Sequence, residues 1–183
     1  MRLSIAIIVI IYILGGKVGF SRAMDLSMSV HQPSRVQSVT RPCMDQVELK
    51  RKMLRLVNAA RASSRYCGTR YCRKVQGLEW DRRLARAALS HCIDMARHGM
   101  FSHRGSDDSF MMDRVNEAGY RPRVLGENLA RGQKDVGDVV RDWLRSPHHC
   151  SNIMLPAFSQ MGASCVLDKR GRKYWTLMLA APF

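Results

Sequence analysis

Acidic residues are scarce in this chain of 183 residues. It carries 15 Asp and Glu against 30 Lys and Arg, which leaves a formal net charge of +15. A surplus of this size favours anionic partners such as membrane surfaces, acidic polysaccharides or nucleic acids. The length allows one globular domain and leaves little room for two, which excludes a large multidomain enzyme.

Several motifs of catalysis and nucleotide binding are missing as well. The chain contains no His-Glu-x-x-His pair, no Cys-x-x-Cys pair and no glycine-rich phosphate loop. The first two absences argue against the common zinc motifs, and the third argues against nucleotide chemistry. The basic residues are spread along the chain without a compact cluster or interleaved aromatic residues, so we do not expect a nucleic-acid partner.

The one long apolar run lies at the N-terminus. Residues 3–14 follow Arg2 and have the length of the central region of a signal peptide, which is short for a membrane span. We predict a signal peptide at residues 1–23 with cleavage after Ala23, and the alternative is an uncleaved anchor. Cleavage removes three basic residues and no acid, so the net charge falls from +15 to +12.

Export would place the cysteines in an oxidising compartment, where disulfides form and persist. Cys67 and Cys72 flank a short loop, and we predict that they pair first. The remaining four allow three pairings, which the sequence does not decide. Cys150 next to His149 is a conceivable nucleophile, but disulfide bonding is favoured in an exported chain with this many cysteines. All six are disulfide candidates: Cys43, Cys67, Cys72, Cys92, Cys150 and Cys165.

The chain beyond the signal peptide divides into a leader and one folded domain. Residues 24–42 are rich in Ser, Gln, Val and Pro and are predicted to be a flexible leader, with the domain at residues 43–183. Helices followed by strands indicate an α+β domain, and the three tryptophans are expected in its core. Apolar periodicity predicts helices at 45–63, 81–99, 110–118 and 136–144, and a hairpin of strands at 162–167 and 173–180.

Eight short motifs along the domain occur in an order that resembles one family. They are LVNAAR (56–61), LEWDRRLARAA (78–88), MARHGMFSH (95–103), AGY (118–120), GENLA (126–130), WLRSPHH (143–149), NIM (152–154), and MGA (161–163) with YW (174–175). The family is the CAP superfamily of cysteine-rich secretory proteins, antigen 5 and plant pathogenesis-related proteins, whose domain is also called the SCP domain. The resemblance is nearest to the bacterial branch. It implies a three-layer α-β-α sandwich with a small antiparallel sheet and a shallow central cleft.

The resemblance also implies which side chains line that cleft. By their motifs, His103, Glu127 and His149 match the family's two histidines and its first acid, while the second glutamate of many eukaryotic members is missing near Ser146. Two imidazoles and one carboxylate can hold a divalent metal, zinc by preference, with one position open for water. The alternative is a hydrogen-bonded polar cluster that orders the cleft loops. Ser102 and Asn128 are interpreted as loop-ordering residues.

These observations favour a secreted or periplasmic binding module over an enzyme. Its expected ligand is a lipid, a sterol or an anionic surface polymer, and its expected relation to membranes is peripheral rather than transmembrane. Two alternatives stay open. One is a metal-dependent hydrolase that uses His103, Glu127 and His149 around an activated water, and the other is a secreted effector that acts on a host target.

Overall fold

The computed structural model describes residues 40–183, so the predicted signal peptide and nearly all of the predicted leader lie outside the described residues. The sheet begins at Arg41, just ahead of the predicted domain start at Cys43. None of the helices between residues 40 and 183 combines the length and apolarity that a membrane crossing needs. The elements are β1 (Arg41–Pro42), α1 (Gln46–Arg61), β2 (Arg65–Cys67), β3 (Arg70–Cys72), β4 (Glu79–Trp80), α2 (Arg82–His98), α3 (Met111–Glu117), β5 (Pro122–Arg131), α4 (Val136–Arg145), α5 (Pro147–Ile153), β6 (Gln160–Leu167) and β7 (Lys173–Pro182).

The main sheet is built around the two C-terminal strands. Its strand order is β1-β6-β7-β5, and all of these neighbours are antiparallel. The short β4 adds a parallel pairing to β6. The strands β2 and β3 form a separate two-stranded hairpin. The predicted hairpin at the C-terminus is therefore confirmed, and it supplies the centre of the sheet.

Two helical layers enclose this sheet. Trp175, Leu177 and Leu179 of β7 pack into the same core cluster as residues of α1, α4 and α5. Met178 and Ala180 point to the other face and pack with residues of α2 and α3. Because successive side chains of a strand face opposite ways, one strand with both faces buried serves both layers. The predicted α+β fold, a three-layer α-β-α sandwich, is confirmed.

Helix α2 has the ends that the sequence predicts. The Asp81 side chain accepts hydrogen bonds from the backbone N–H groups of Arg83 and Leu84, and Gly99 closes the helix in the left-handed conformation with φ 66°. The helix packs tightly on the sheet at Gly162, where an added Cβ would lie 2.2 Å from the backbone nitrogen of Ala85. A glycine at this position lets the first turn of α2 approach β6 closely. This contact fixes the position of the helix relative to the sheet.

Two elements near the cleft are absent from the prediction. Strand β5 contains Gly126 and Asn128, residue types that are depleted in strands, and its burial does not alternate. The second unpredicted element is α5: α4 ends at Arg145, close to the predicted end at residue 144, and Pro147 then begins a further short helix. Proline fits a first helical turn because its missing N–H has no partner there in any case. Both elements carry residues of the predicted site.

The predicted Cys67–Cys72 disulfide is wrong. The bonds are Cys43–Cys165 and Cys67–Cys150, and the remaining two cysteines are buried free thiols. Between residues 67 and 72 the chain forms a β-hairpin in which Cys67 lies opposite Arg70 and Cys72 lies opposite Arg65. The two cysteines are thus diagonal neighbours, farther apart than residues that face each other directly, and a disulfide needs the closer spacing.

Two of the three tryptophans lie in the core as expected. Trp143 and Trp175 are almost fully buried, and their indole N–H groups donate to the carbonyls of Leu129 and Gln133. Trp80 differs from the expectation, because it is only half-buried at the end of β4. It packs against the edge of the core and also lines an open groove between the first turns of α1 and α2.

Candidate functional site

The three predicted metal ligands come from three different elements. His103 lies in the loop after α2, Glu127 lies in the middle of β5, and His149 lies in the first turn of α5. His103 is the most exposed of them, with 62% of its side chain accessible, whereas the Glu127 side chain is 1% accessible. The site thus combines a buried acid with an exposed imidazole.

The buried Glu127 carboxylate has a partner on each oxygen. His103 Nδ1 lies 2.7 Å from Oε1, and a guanidinium nitrogen of Arg114 lies 2.9 Å from Oε2. His91 Nε2 lies 4.0 Å from Oε1. A carboxylate this deeply buried needs charged or hydrogen-bonding partners to offset its lost hydration, and here it has both. Because an ionised carboxylate can only accept a hydrogen bond, His103 Nδ1 carries the proton. In the neutral ring, Nε2 is then unprotonated and has a lone pair available.

Arg114 is a member of the site that the sequence prediction omits. It is 4% exposed, and besides Glu127 it donates to the backbone carbonyls of His103 and Ser109 at 3.1 Å and 3.0 Å. One side chain therefore joins α3, the His103 loop and β5. A signal for it exists in the sequence, because Arg114 lies within the apolar face that Met111 and Val115 define on α3.

His91 supports the loop that carries His103. It is fully buried on the inner face of α2, and its Nε2 lies 2.8 Å from the carbonyl oxygen of Ser102. Its Nδ1 makes no hydrogen bond with any residue from 40 to 183. The Ser102 hydroxyl accepts a hydrogen bond from the backbone nitrogen of Arg104 at 3.0 Å. The loop around His103 is therefore bonded through both its backbone and its side chains.

Two asparagines connect α5 to β5. Asn128 Nδ2 donates to the carbonyl of His149 at 3.0 Å, and Asn152 Nδ2 donates to Asn128 Oδ1 at the same distance. Asn128 is fully buried, so these bonds are shielded from water. Asn152, which the sequence prediction did not assign to the site, completes this link between the two elements. The backbone of His149 is thus held, while its imidazole is half-buried.

The three imidazoles differ in their affinity for protons. The hydrogen bond to Glu127 raises the pKa of His103. Burial lowers the pKa of His149, and the nearby His103 and His148 lower it further. Burial also lowers the pKa of His91, although Glu127 opposes this effect. Acidification therefore protonates His103 before His149 and His91, so the exposed side of the site gains a positive charge first.

These residues do not fit a zinc site with three protein ligands. Both oxygens of Glu127 are already bonded, and the guanidinium of Arg114 lies where a divalent cation would be repelled. In the part of the chain that the structure describes, no three His, Cys, Asp or Glu side chains are grouped so that they could hold a metal ion. The structure thus brings His103 and Glu127 together as a hydrogen-bonded pair buttressed by Arg114.

A groove away from these residues lies between α1 and α4. This α1–α4 groove has a volume of about 530 Å³. Arg65 of β2 lies at its edge, and the buried Nε of Arg65 makes no hydrogen bond with a described residue. Its floor and walls are Leu56, Ala59, Ala60, Gly137, Val140 and Leu144, and its basic edge is Arg65, Arg141 and Arg145.

Comparison with known proteins agrees with this architecture. The chain is 28% identical over 117 residues to the uncharacterized protein YkwD of Bacillus subtilis, an alignment that covers 64% of this chain and 42% of YkwD. The crystal structure of an extracellular protein containing a SCP domain from Bacillus anthracis matches with a TM-score of 0.63 and 24% identity. That match covers 74% of this chain and 41% of the other. The chain thus spans less than half the length of both proteins.

A more distant structural match was solved with a metal. The crystal structure of NaASP2 with Zn²⁺ matches with a TM-score of 0.53 and 13% identity, over 72% of this chain and 78% of that chain. This likeness shows a shared fold. The family model described as CAP, the cysteine-rich secretory protein family, matches residues 54–179, a span that includes His103, Glu127 and His149. The chain therefore belongs to the CAP family of cysteine-rich secretory proteins.

Proposed function

We propose that this CAP domain is a binding module that holds an anionic amphiphile, such as a fatty acid, in the α1–α4 groove. The observation that carries the proposal is the buried Arg65 Nε, a charged donor at the edge of an apolar groove without a hydrogen-bond partner among residues 40–183. A buried donor of this kind costs free energy unless something accepts its hydrogen bond. A carboxylate or phosphate headgroup supplies that acceptor.

The lining of the groove suits such a ligand. Leu56 and Leu144 are half-buried and leave part of their side chains at the surface, where an apolar chain can cover them. Arg145 forms no ion pair with a described residue, and Arg141 pairs with Asp138. The edge of the groove is thus net positive. Its volume of about 530 Å³ lies within the range of small-molecule sites.

A set of three ligands separates the apolar contribution from the charged one. Decanoate, dodecanoate and dodecanol are titrated into the purified protein by calorimetry. We expect dodecanoate to bind more tightly than decanoate, by about four-fold per added methylene, because each buried methylene contributes about 0.8 kcal/mol. We expect dodecanol to bind at least about ten-fold more weakly than dodecanoate, because a hydroxyl cannot pair with a guanidinium as a carboxylate does.

Two variants locate the ligand. Arg65→Met removes the unpaired donor, and Ala59→Trp fills the groove from an exposed position of α1. Both should abolish most dodecanoate binding, while Arg97→Met, which removes an exposed charge elsewhere, should leave it unchanged. Equal binding of dodecanoate and dodecanol, or full binding by the Arg65→Met and Ala59→Trp variants, would contradict the proposal.

The proposed setting of this function is outside the cytoplasm. Two disulfides, the N-terminal apolar run and the extracellular relative from Bacillus anthracis support it. N-terminal sequencing of the protein recovered from the secreting host should begin at Met24. A mature protein that still begins at Met1 would contradict the predicted cleavage.

Zinc in the cleft has weaker support than the groove ligand. The support is that NaASP2 was crystallised with Zn²⁺ and that His103 lies near enough to His149 to lower the pKa of that imidazole. Against it, Arg114 and His103 occupy the carboxylate that would complete the ligand set. Hydrolysis around a metal-bound water is therefore not part of the proposed function.

A further inference from the structure

The β2–β3 hairpin presents two aromatic rings to solvent. Tyr66 and Tyr71 are cross-strand partners with ring centroids 5.2 Å apart, and they are 69% and 54% exposed. Two adjacent exposed rings form an apolar patch of the kind that marks an interaction site. The two rings stabilise the hairpin as a cross-strand pair, and because neither is buried in the core, most of each ring stays accessible to a partner.

The same segment is strongly basic. Residues 49–78 contain no Asp or Glu, and the hairpin and its exit carry Arg70, Arg73 and Lys74 as exposed side chains. None of these three forms an ion pair within the described part of the chain. The patch of exposed rings therefore lies beside unneutralised positive charge.

The hairpin is held rigidly on the domain. Cys67 and Cys72 face inward and are buried, while the tyrosines face outward, as expected for alternating residues of two strands. Cys67 is bonded to Cys150 of α5, and Gly68, with φ +64°, lies so close to Pro147 that an added Cβ would be 3.0 Å from its ring. Little conformational entropy is lost when such a preformed surface binds.

We infer that the β2–β3 hairpin docks on an anionic lipid bilayer, with Tyr66 and Tyr71 at the headgroup level and Arg70, Arg73 and Lys74 against lipid phosphates. Tyrosine suits this position because its ring is apolar and its hydroxyl is polar. Basic residues near an anionic leaflet are attracted to it. The rings project from the outer face of the hairpin and line no pocket. This favours a bilayer, whose lipids can rearrange around projecting rings, over a rigid polymer. This inference is independent of the ligand in the α1–α4 groove.

Vesicle co-sedimentation tests the docking. The protein should bind vesicles of phosphatidylcholine mixed with phosphatidylglycerol, bind pure phosphatidylcholine vesicles far more weakly, and lose affinity as salt is raised. The Arg70→Gln/Arg73→Gln/Lys74→Gln variant should bind on the order of a hundred-fold more weakly. The Tyr66→Ser/Tyr71→Ser variant should bind about ten-fold more weakly.

A matched control separates docking from general charge attraction. Arg97→Gln/Arg121→Gln/Arg170→Gln removes the same charge from exposed residues elsewhere on the domain and should leave vesicle binding almost unchanged. Equal loss in both triple variants would overturn the inference. A soluble polyanion, dextran sulfate, serves as the second probe. The inference would also be overturned if dextran sulfate bound in a hairpin-dependent way and vesicles did not.

A measurement of insertion depth tests the role of the tyrosines, because charge attraction alone does not place a side chain inside the bilayer. In a Tyr66→Trp variant, brominated lipids should quench the added fluorescence when vesicles are present, and an indole that stays unquenched would contradict insertion. Ala59→Trp should leave vesicle binding intact, and the hairpin variants should keep dodecanoate binding. Failure of the docking and failure of the groove proposal are therefore distinguishable.

Discussion

Arg114 and Glu127 form an ion pair at 2.9 Å in which both side chains are almost fully buried. The same guanidinium donates to the backbone carbonyl of His103, whose imidazole is bonded to the other oxygen of Glu127. One arginine thus neutralises the buried acid and also positions the histidine loop. The charged groups of this site therefore hold β5, α3 and the His103 loop together.

Breaking this pair from one side should destabilise the fold strongly. Arg114→Met leaves a buried carboxylate without its cation, and we expect a loss of about 3–5 kcal/mol in the free energy of unfolding. Urea denaturation measures it. Arg114→Met combined with Glu127→Leu should recover part of that loss, because the uncompensated charge is gone. A single variant as stable as the wild type would contradict the role assigned to Arg114.

The bond between His103 and Glu127 should make stability depend on pH. Because folding raises the pKa of His103, its contribution is complete below the pKa of about 6.5 of an unfolded histidine and is lost as the pH rises through the folded-state value. His103→Gln should therefore lower the melting temperature more at acid pH than at alkaline pH. The difference between the two proteins is the relevant quantity, since His91 has a lowered pKa and destabilises the fold as the pH falls. A difference that grows with pH would refute this sign.

Arg61 should be a second buried determinant of stability. It is fully buried at the end of α1 and donates to the carbonyls of Gln76, Ile153, Leu155 and Phe158, at distances between 2.6 Å and 3.2 Å. Burial lowers its pKa to about 10, so it stays charged at neutral pH. Arg61→Met should cost about 3–5 kcal/mol because it leaves these carbonyls without a donor. The exposed Arg55→Met is the control, and similar effects from both would argue against the role.

The disulfides allow a direct chemical test. The intact mass without reductant should be lower than the reduced mass by four hydrogens, and peptide mapping should find Cys43–Cys165 and Cys67–Cys150. Cys72 and Cys92 should resist alkylation until the protein unfolds, and burial raises the pKa of Cys92 to about 12. Cys67→Ser should destabilise by about 2–5 kcal/mol and Cys72→Ser by less. A recovered Cys67–Cys72 peptide would contradict the structure.

Local signals predicted much of the fold. The ends of α2 follow from Asp81 and Gly99, which act through short-range hydrogen bonds and backbone conformation. The α+β class followed from helices that precede strands, and the three-layer arrangement followed from the ordered family motifs. Strand β5 was not predictable in the same way, because a strand buried on both faces lacks the alternation that marks an exposed one, and Gly126 and Asn128 disfavour the assignment. Its pairing with β7 depends on contacts far apart in sequence.

The site was predictable in part for the same reason. The motifs indicated His103 and Glu127, and the structure joins them by a hydrogen bond. The sequence could not indicate that Arg114 would bond the second oxygen, because that contact depends on how α3 packs beside β5. The choice of Cys150 as the partner of Cys67 likewise depends on the position of α5 rather than on spacing along the chain.

The Cys67–Cys150 bond has a mechanical consequence. It links the exposed β2–β3 hairpin covalently to α5. In that helix, His149 is the residue immediately before Cys150. The same helix is hydrogen-bonded to β5 through Asn152 and Asn128, so a continuous series of bonds runs from the hairpin to the strand that carries Glu127. Reduction of this disulfide would remove the covalent link between the exposed hairpin and the polar centre of the domain and leave only noncovalent contacts, such as that of Gly68 with Pro147.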